Sequence, residues 1–215
     1  MRRDRDLDQV LPLRSLAAAL ALLVLPAWGG HQSDPLASRS LGRAEAPVVV
    51  YEMSDFQCPY CRQFALTVFP TLDREFAATG KVRFVYVNFP LTAIHRHAVA
   101  AATVAMCAAR QNKFWPVHDL LFQRQERWAG AEQPVPYLLA LADSAGADPA
   151  QLAQCVTSRA TESEIRADAA RAVRAGAHST PTFYIEGGLL EGAPPVDAFR
   201  QVLDSIYRSK TARAR

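Results

Sequence analysis

Residues 48–61 read Val48-Val49-Val50-Tyr51-Glu52-Met53-Ser54-Asp55-Phe56-Gln57-Cys58-Pro59-Tyr60-Cys61. The run from Pro47 to Met53 is β-branched and almost wholly apolar, the pattern of a strand buried on both faces. Six residues later Pro59 suits the first position of a helix, where its missing N–H costs nothing and its fixed φ is already helical. A helical pattern then runs to about Ala78, with a kink expected at Pro70 and a stop at Gly80. Cys58 therefore falls where a strand hands over to a helix.

That placement has chemical consequences. A cysteine at a helix start lies beside unpaired backbone N–H groups and the positive end of the helix dipole, both of which favour a thiolate. A free thiol ionises near pH 8.5, and sites of this kind lower that value by about one to five units. Cys61 is one helical turn further on, on the same face and within reach of a disulfide. It points back into the protein, so it should be the less accessible sulfur. Cys58 is then the nucleophile that exchanges with a substrate, and Cys61 the partner that resolves the mixed disulfide. Zinc would need two more ligands, and neither Cys107 nor Cys155 belongs to a second C-x-x-C. A non-catalytic thiol site for a soft metal is the other alternative. A Cys58–Cys61 bridge closes too small a loop to serve mainly as a staple.

Outward from this stretch, Val82-Arg83-Phe84-Val85-Tyr86-Val87-Asn88-Phe89 reads as a second strand stopped by Pro90. From His95 to about Ala177 the pattern is helical, cut by turn signals at Gly130, Pro134, Gly146 and Pro149. Thr182 to Glu186 is a strand, Gly187-Gly188 a hairpin turn, and Leu189-Leu190 a short return. Asp197 to about Lys210 is an amphipathic helix presenting Phe199, Val202, Leu203, Ile206 and Tyr207. The order is β-α-β, a long helical insert, then β-β-α, an α/β architecture with helices on the faces of a central sheet.

Half of the 215 residues are hydrophobic and 21% are charged, and the formal net charge is only +3. This balance excludes a nucleic-acid partner driven by charge. Arg2, Arg3, Arg5 and Arg14 precede an apolar run from Leu16 to Trp28 that ends at Gly29-Gly30. Residues 1–30 thus read as a signal peptide, or a signal anchor if uncleaved; the run is shorter than a membrane span of ~20 residues. Export to the periplasm or another extracytoplasmic space follows. Residues 31–46, polar and small, read as a linker.

Two further residues join the cysteines. Thr180-Pro181 precedes a strand directly, where a proline is either trans and strand-opening, as base rates favour, or cis. A cis Pro181 beside Cys58 would present the Thr180 backbone to an extended substrate chain. Glu52 is the one acid in an apolar strand. Buried, it would resist ionisation and relay a proton for Cys61; at a strand edge it would simply face water.

The run from Tyr51 to Cys61 together with Thr180-Pro181-Thr182-Phe183 resembles the DsbA-like branch of the thioredoxin superfamily. Phe89-Pro90-Leu91, His95-x-x-Ala98 and the stretch from Gln111 to Phe122 are similar to the helical insert of the same branch. The resemblance spans roughly residues 47–208. It implies a thioredoxin-like domain over residues 47–90 and 177–215 with a helical insertion at 91–176, and a cis Pro181 beside the active-site disulfide. It also implies a buried acid at Glu52 and an oxidising role outside the cytoplasm, with re-oxidation by a membrane quinone-linked partner. The catalytic set would be Cys58, Cys61, Pro181 and Glu52, with Thr180, Pro59 and Tyr60 touching substrate. The expected substrates are reduced or misoxidised exported proteins, handled by a monomer without cofactor or metal. Oxidase is the favoured direction; reductase or isomerase is the alternative. The best-known oxidases carry His where this chain has Tyr60, which removes one stabiliser of the thiolate.

Cys107 and Cys155 both fall in the helical insert. An exported protein favours a structural disulfide between packed helices over two buried free thiols; exchange with Cys58–Cys61 is a remoter alternative. His95, His97 and His118 show no ligand spacing and read as surface or helix-capping residues. Phe114, Trp115, Leu120, Leu121 and Phe122 read as core.

Overall fold

The computed structural model describes residues 36–213, so the expected signal segment lies outside the described residues. Five strands form one sheet in the order β1-β3-β2-β4-β5. The strands are β1 (Ser40–Leu41), β2 (Val48–Ser54), β3 (Val82–Asn88), β4 (Thr182–Ile185) and β5 (Gly188–Glu191). β2 and β3 run parallel, in register from Val48 opposite Val82 to Ser54 opposite Asn88. β4 pairs antiparallel with both β2 and β5. The β-branched run thus becomes the central strand, which explains why it has no clear polar alternation.

Cys58 caps α1 (Pro59–Gln63) in extended conformation, with Pro59 opening the helix. The helical run to Ala78 is not a simple kinked helix. Pro70 has no N–H to give back to the preceding turn, and the chain adapts by widening. A π turn at Phe64–Val68 leads into α2 (Phe69–Leu72), and a second at Asp73–Ala77 follows. This run and the C-terminal α9 (Val196–Arg213) cover one face of the sheet. There Phe64, Phe69, Leu72, Phe199 and Leu203 pack on Val48, Val50, Phe84 and Phe183. The other face carries Met53, Val87 and Phe89 against Ala172 of α8 (Glu162–Arg174).

Between β3 and β4 the chain forms α3 (Ala98–Ala109), α4 (Phe114–Gln123), α5 (Gln125–Trp128), α6 (Val135–Ser144), α7 (Pro149–Thr157) and then α8. Breaks at Asn112 and Arg159 use positive φ without glycine, so the sequence carried no strong signal for them. Phe114, Leu121 and Phe122 are core residues, and Trp115 and Leu120 pack against that core. Cys107 of α3 and Cys155 of α7 are joined by a disulfide.

Two expectations need correcting. The β4–β5 turn is Glu186-Gly187, both at positive φ; a two-residue hairpin of this type needs that geometry at both central positions, which moves the turn back one residue. More important, residues 36–46 are no linker. A 3-10 turn, Ala37–Arg39, leads into β1, which pairs antiparallel with β3. Arg39 is buried and forms a two-pronged ion pair with the buried Asp168 of α8, with Nη2 to Oδ1 at 2.9 Å. Asp168 also accepts from Asn88 Nδ2 at 2.9 Å. The Trp115 indole donates to Ser40 O at 3.0 Å. Gly42 lets the chain cross β3: a Cβ there would lie 2.4 Å from Val82 O. Polar composition hid this segment because its contribution to the core is a buried charge.

Removing one partner of such a pair leaves the other charge buried. Arg39→Met should therefore cost about 3 kcal/mol, since Asp168 would keep only the neutral Asn88 donors and the half-exposed Arg171. A urea denaturation midpoint unchanged from the native protein would contradict this.

Candidate active site

The loop between β2 and α1 is held from several sides. Asp55 is buried, and its carboxylate accepts the N–H groups of Gln57 at 2.7 Å and Leu91 at 2.8 Å. His95 Nδ1 lies 2.8 Å from the same carboxylate. Gln57 takes the His97 N–H at 2.7 Å and gives its amide to Ala129 O at 2.9 Å. From α5, buried Gln125 donates to both Phe56 O and Cys58 O, at 2.7 and 3.0 Å. The insert and the sheet therefore grip the loop together. An Asp that binds the N–H two residues on makes an Asx turn, and Asp55, three residues before the capping Cys58, is placed to do so, a signal that sequence reading passed over. Gln125 left no such signal.

Cys58 and Cys61 are both free thiols and both buried, with 4% and 0% of their surface accessible, so Cys58 is the one that solvent touches. The Thr180–Pro181 bond is cis, and the Cys58 thiol donates to Thr180 O at 3.3 Å. Two parts of the chain 122 residues apart thus meet at the nucleophile. Pro59 and Tyr60 are exposed, Tyr60 at 64%, on the rim of the same site.

The two sulfurs are electrostatically unlike. Cys58 is lowered from 9.0 to about 6, first by hydrogen bonding from the Cys61 thiol. Burial opposes this, and the Thr180 side chain and the N–H groups of Cys61 and Tyr60 reinforce it. Cys61 is pushed well above 9.0, by burial and then by the charge of Cys58 beside it. At pH 7 this leaves about ten Cys58 thiolates for each thiol, while Cys61 keeps its proton.

Glu52, left open between core and edge, is buried in the central strand. Burial raises it from 4.5 to about 7, with the Ser54 side chain pulling the other way. It sits opposite Tyr86 on β3 and Phe183 on β4. The histidines divide. His95 and His97 bind the active-site loop and its neighbour, whereas His118 is buried among aromatic rings, 4.9 Å from both Trp115 and Phe122. The surface reading of His118 fails because its position on α4 faces inward with Phe114 and Phe122.

A reduced Cys58 thiolate, a protonated Cys61 and a backbone carbonyl beside them form a site that can exchange disulfides. A family model described as thioredoxin matches residues 36–205. The chain belongs to the thioredoxin family, in its DsbA-like branch of thiol–disulfide oxidoreductases. It is 31% identical over 177 residues to the "Probable disulfide bond formation protein D" of Bacillus anthracis, covering 77% of this chain and 76% of that protein. The structure of oxidised BdbD from Bacillus subtilis superposes with a TM-score of 0.71 at 25% identity, over 79% of this chain and 92% of that one. A 180-residue match at 32% identity falls within the "Na(+)/H(+) antiporter NhaA 3" of Salinispora tropica. It takes in 84% of this chain but only 26% of the antiporter, so the chain spans about a quarter of that relative's length.

The shifted groups of this family member set opposite pH dependences. Glu52 holds its proton to about pH 7 when folded but ionises near 4.5 unfolded, so stability falls as pH rises between those values. Glu52→Gln should abolish this decline, with its advantage over the native protein growing from pH 4.5 to 7. Cys58 in the dithiol form loses its proton near 6 folded and near 9 unfolded, so stability rises across that window. Cys58→Ala should flatten the rise. Urea midpoints from pH 4 to 9 measure both effects, and parallel curves would contradict them.

Proposed function

We propose that the protein is an exported disulfide oxidase that passes the Cys58–Cys61 disulfide to folding extracytoplasmic proteins. The asymmetry of the two sulfurs carries this reading. A thiolate stabilised at Cys58 lowers the free energy of the reduced pair, and a stable reduced form makes the disulfide a strong oxidant. A substrate thiolate attacks Cys58, Cys61 leaves, and the substrate's second thiolate then displaces Cys58. Two substrate thiols become one disulfide while the enzyme's disulfide becomes two thiols. Cis Pro181 and the Thr180 backbone would receive the extended substrate beside the sulfur, with Pro59 and Tyr60 on its rim.

Each such turnover leaves the pair reduced, so an oxidising partner is required; a membrane quinone-linked protein fits the DsbA-like resemblance. Names of relatives such as disulfide bond formation protein D support the oxidase direction over reductase or isomerase. Among the described residues no helix is long and apolar enough to cross a membrane. The basic and apolar residues 2–28 support export. The Cys107–Cys155 bridge supports an oxidising compartment and serves as a structural tie between α3 and α7.

The reduction potential of the Cys58–Cys61 pair tests the direction. A value near about −120 mV is expected, whereas one near about −270 mV would make the protein a reductase. Cys58→Ser should abolish oxidative refolding of a reduced client; retained activity would end the catalytic assignment.

A further inference from the structure

Behind Cys61 lies a group of polar side chains that the exchange of sulfur atoms does not itself use. Glu52 and Ser54 occupy successive inward positions on β2, two residues apart and so on one face of the sheet. Tyr86 projects from β3 opposite Glu52. All three are buried to within 2% of complete exclusion from solvent. None of Glu52 Oε1, Ser54 Oγ and Tyr86 OH is tied into a fixed protein hydrogen bond. Cys61, fully buried, closes the group: the N–H of Asp55, the residue next to Ser54, points at Cys61 Sγ from 3.5 Å. Buried polar groups are ordinarily paired. Here a rotatable hydroxyl has been left uncommitted between an acid and a sulfur.

We propose that Ser54 is the proton relay between Glu52 and Cys61, its hydroxyl passing one proton to the sulfur as it takes another from the carboxyl. Glu52 and Cys61 project from different elements, and the hydroxyl on the strand end beside Cys61 spans them. Its place on the Glu52 face of β2, next to the residue whose N–H points at Cys61 Sγ, agrees with its favouring the ionised forms of Glu52, Cys61 and Tyr86 alike. Cys58 shows no such influence from Ser54. The relay therefore acts on the resolving sulfur and not on the nucleophile.

The inference rests on the exchange reaction proposed above and balances with it. When a substrate thiolate bonds to Cys58, the Cys58–Cys61 bond breaks and its electron pair stays on Cys61. A buried thiolate is costly. Ser54 gives its hydroxyl proton to that sulfur and recovers one from neutral Glu52, leaving Cys61 as a thiol and Glu52 as a carboxylate. When the pair is re-oxidised, the proton returns along the same path and frees the Cys61 thiolate to attack. Other titratable groups border the cluster. Cys58 faces it from the start of α1, and Asp55 from the loop, with His95 on its carboxylate. His118 of α4 lies edge-on to the Tyr86 ring at 5.4 Å. Asp55 is saturated by its own contacts, and the contact of His118 with Tyr86 is through the ring.

The test follows a cysteine substrate peptide reacting with the oxidised full-length protein by rapid mixing, with rates corrected for substrate thiolate. Native protein should react more slowly above about pH 7, as Glu52 loses the proton it must supply. Ser54→Ala should slow Cys61 release by at least about tenfold and erase that pH step. Ser54→Thr, which keeps the hydroxyl, should restore most of the rate, and the Cys58 titration should not move. Adding Ser54→Ala to Glu52→Gln should cost little more than Glu52→Gln alone, because the two act as one path. Native rates in Ser54→Ala, or full additivity with Glu52→Gln, would overturn the relay. Removing an uncommitted buried hydroxyl should leave folding intact; if Ser54→Ala nevertheless does not fold, the native pH step and its slowing in deuterated water decide, and absence of both overturns the relay. A native protein that forms no mixed disulfide at Cys58 would instead defeat the exchange reaction itself.

Discussion

A helix can turn its N–H groups toward a sulfur only if the chain before it arrives at a fixed angle, and the Asp55 carboxylate supplies that angle. It binds the loop's own Gln57 N–H, the Leu91 N–H and the His95 ring at once. Its backbone carbonyl meanwhile accepts the Cys58 N–H at 3.0 Å. With the loop set, Cys58 caps the helix in extended conformation, and its sulfur reaches Thr180 O on the far side of the chain. The low ionisation of Cys58, the burial of Cys61 and the approach of Pro181 all depend on this one arrangement.

Energetically the site works by inequality. Both sulfurs are buried and both have donors, yet only at Cys58 do the donors outweigh the loss of water. Burial raises a thiol's pKa and hydrogen bonds to the thiolate lower it. At Cys58 the hydrogen bonds win, and at Cys61 burial does. The same opposition recurs at Glu52, where burial outweighs the influence of Ser54 and keeps an acid protonated near neutrality. A thiolate ready to react and a neutral acid ready to give a proton thus coexist at one pH.

The helical insert is more than a cover. Through Gln125, Ala129, His95 and His97 it makes contacts to the loop that carries Cys58. On the opposite side of the sheet, Arg39 and Asp168 tie the N-terminal segment to α8. That segment adds β1 to the outer edge of β3, so β3 is not an exposed edge.

Much of this was legible in order along the chain. The strand, the C-x-x-C at a helix start, the amphipathic last helix and the helical character of the insert are local patterns, set by side-chain period, by Pro59 and by turn residues. A local pattern can say that Cys58 stands at a helix N-terminus, because that depends on neighbours a few residues away. It could not say whether Glu52 met water or core, since that depends on which strands flank β2. Nor could it show Arg39 reaching Asp168 across 129 residues, His118 turned among aromatic rings, or Ser54 set beside Cys61. Each of these is a polar group whose state is fixed by what folds against it, and burial is a property of the whole packed chain.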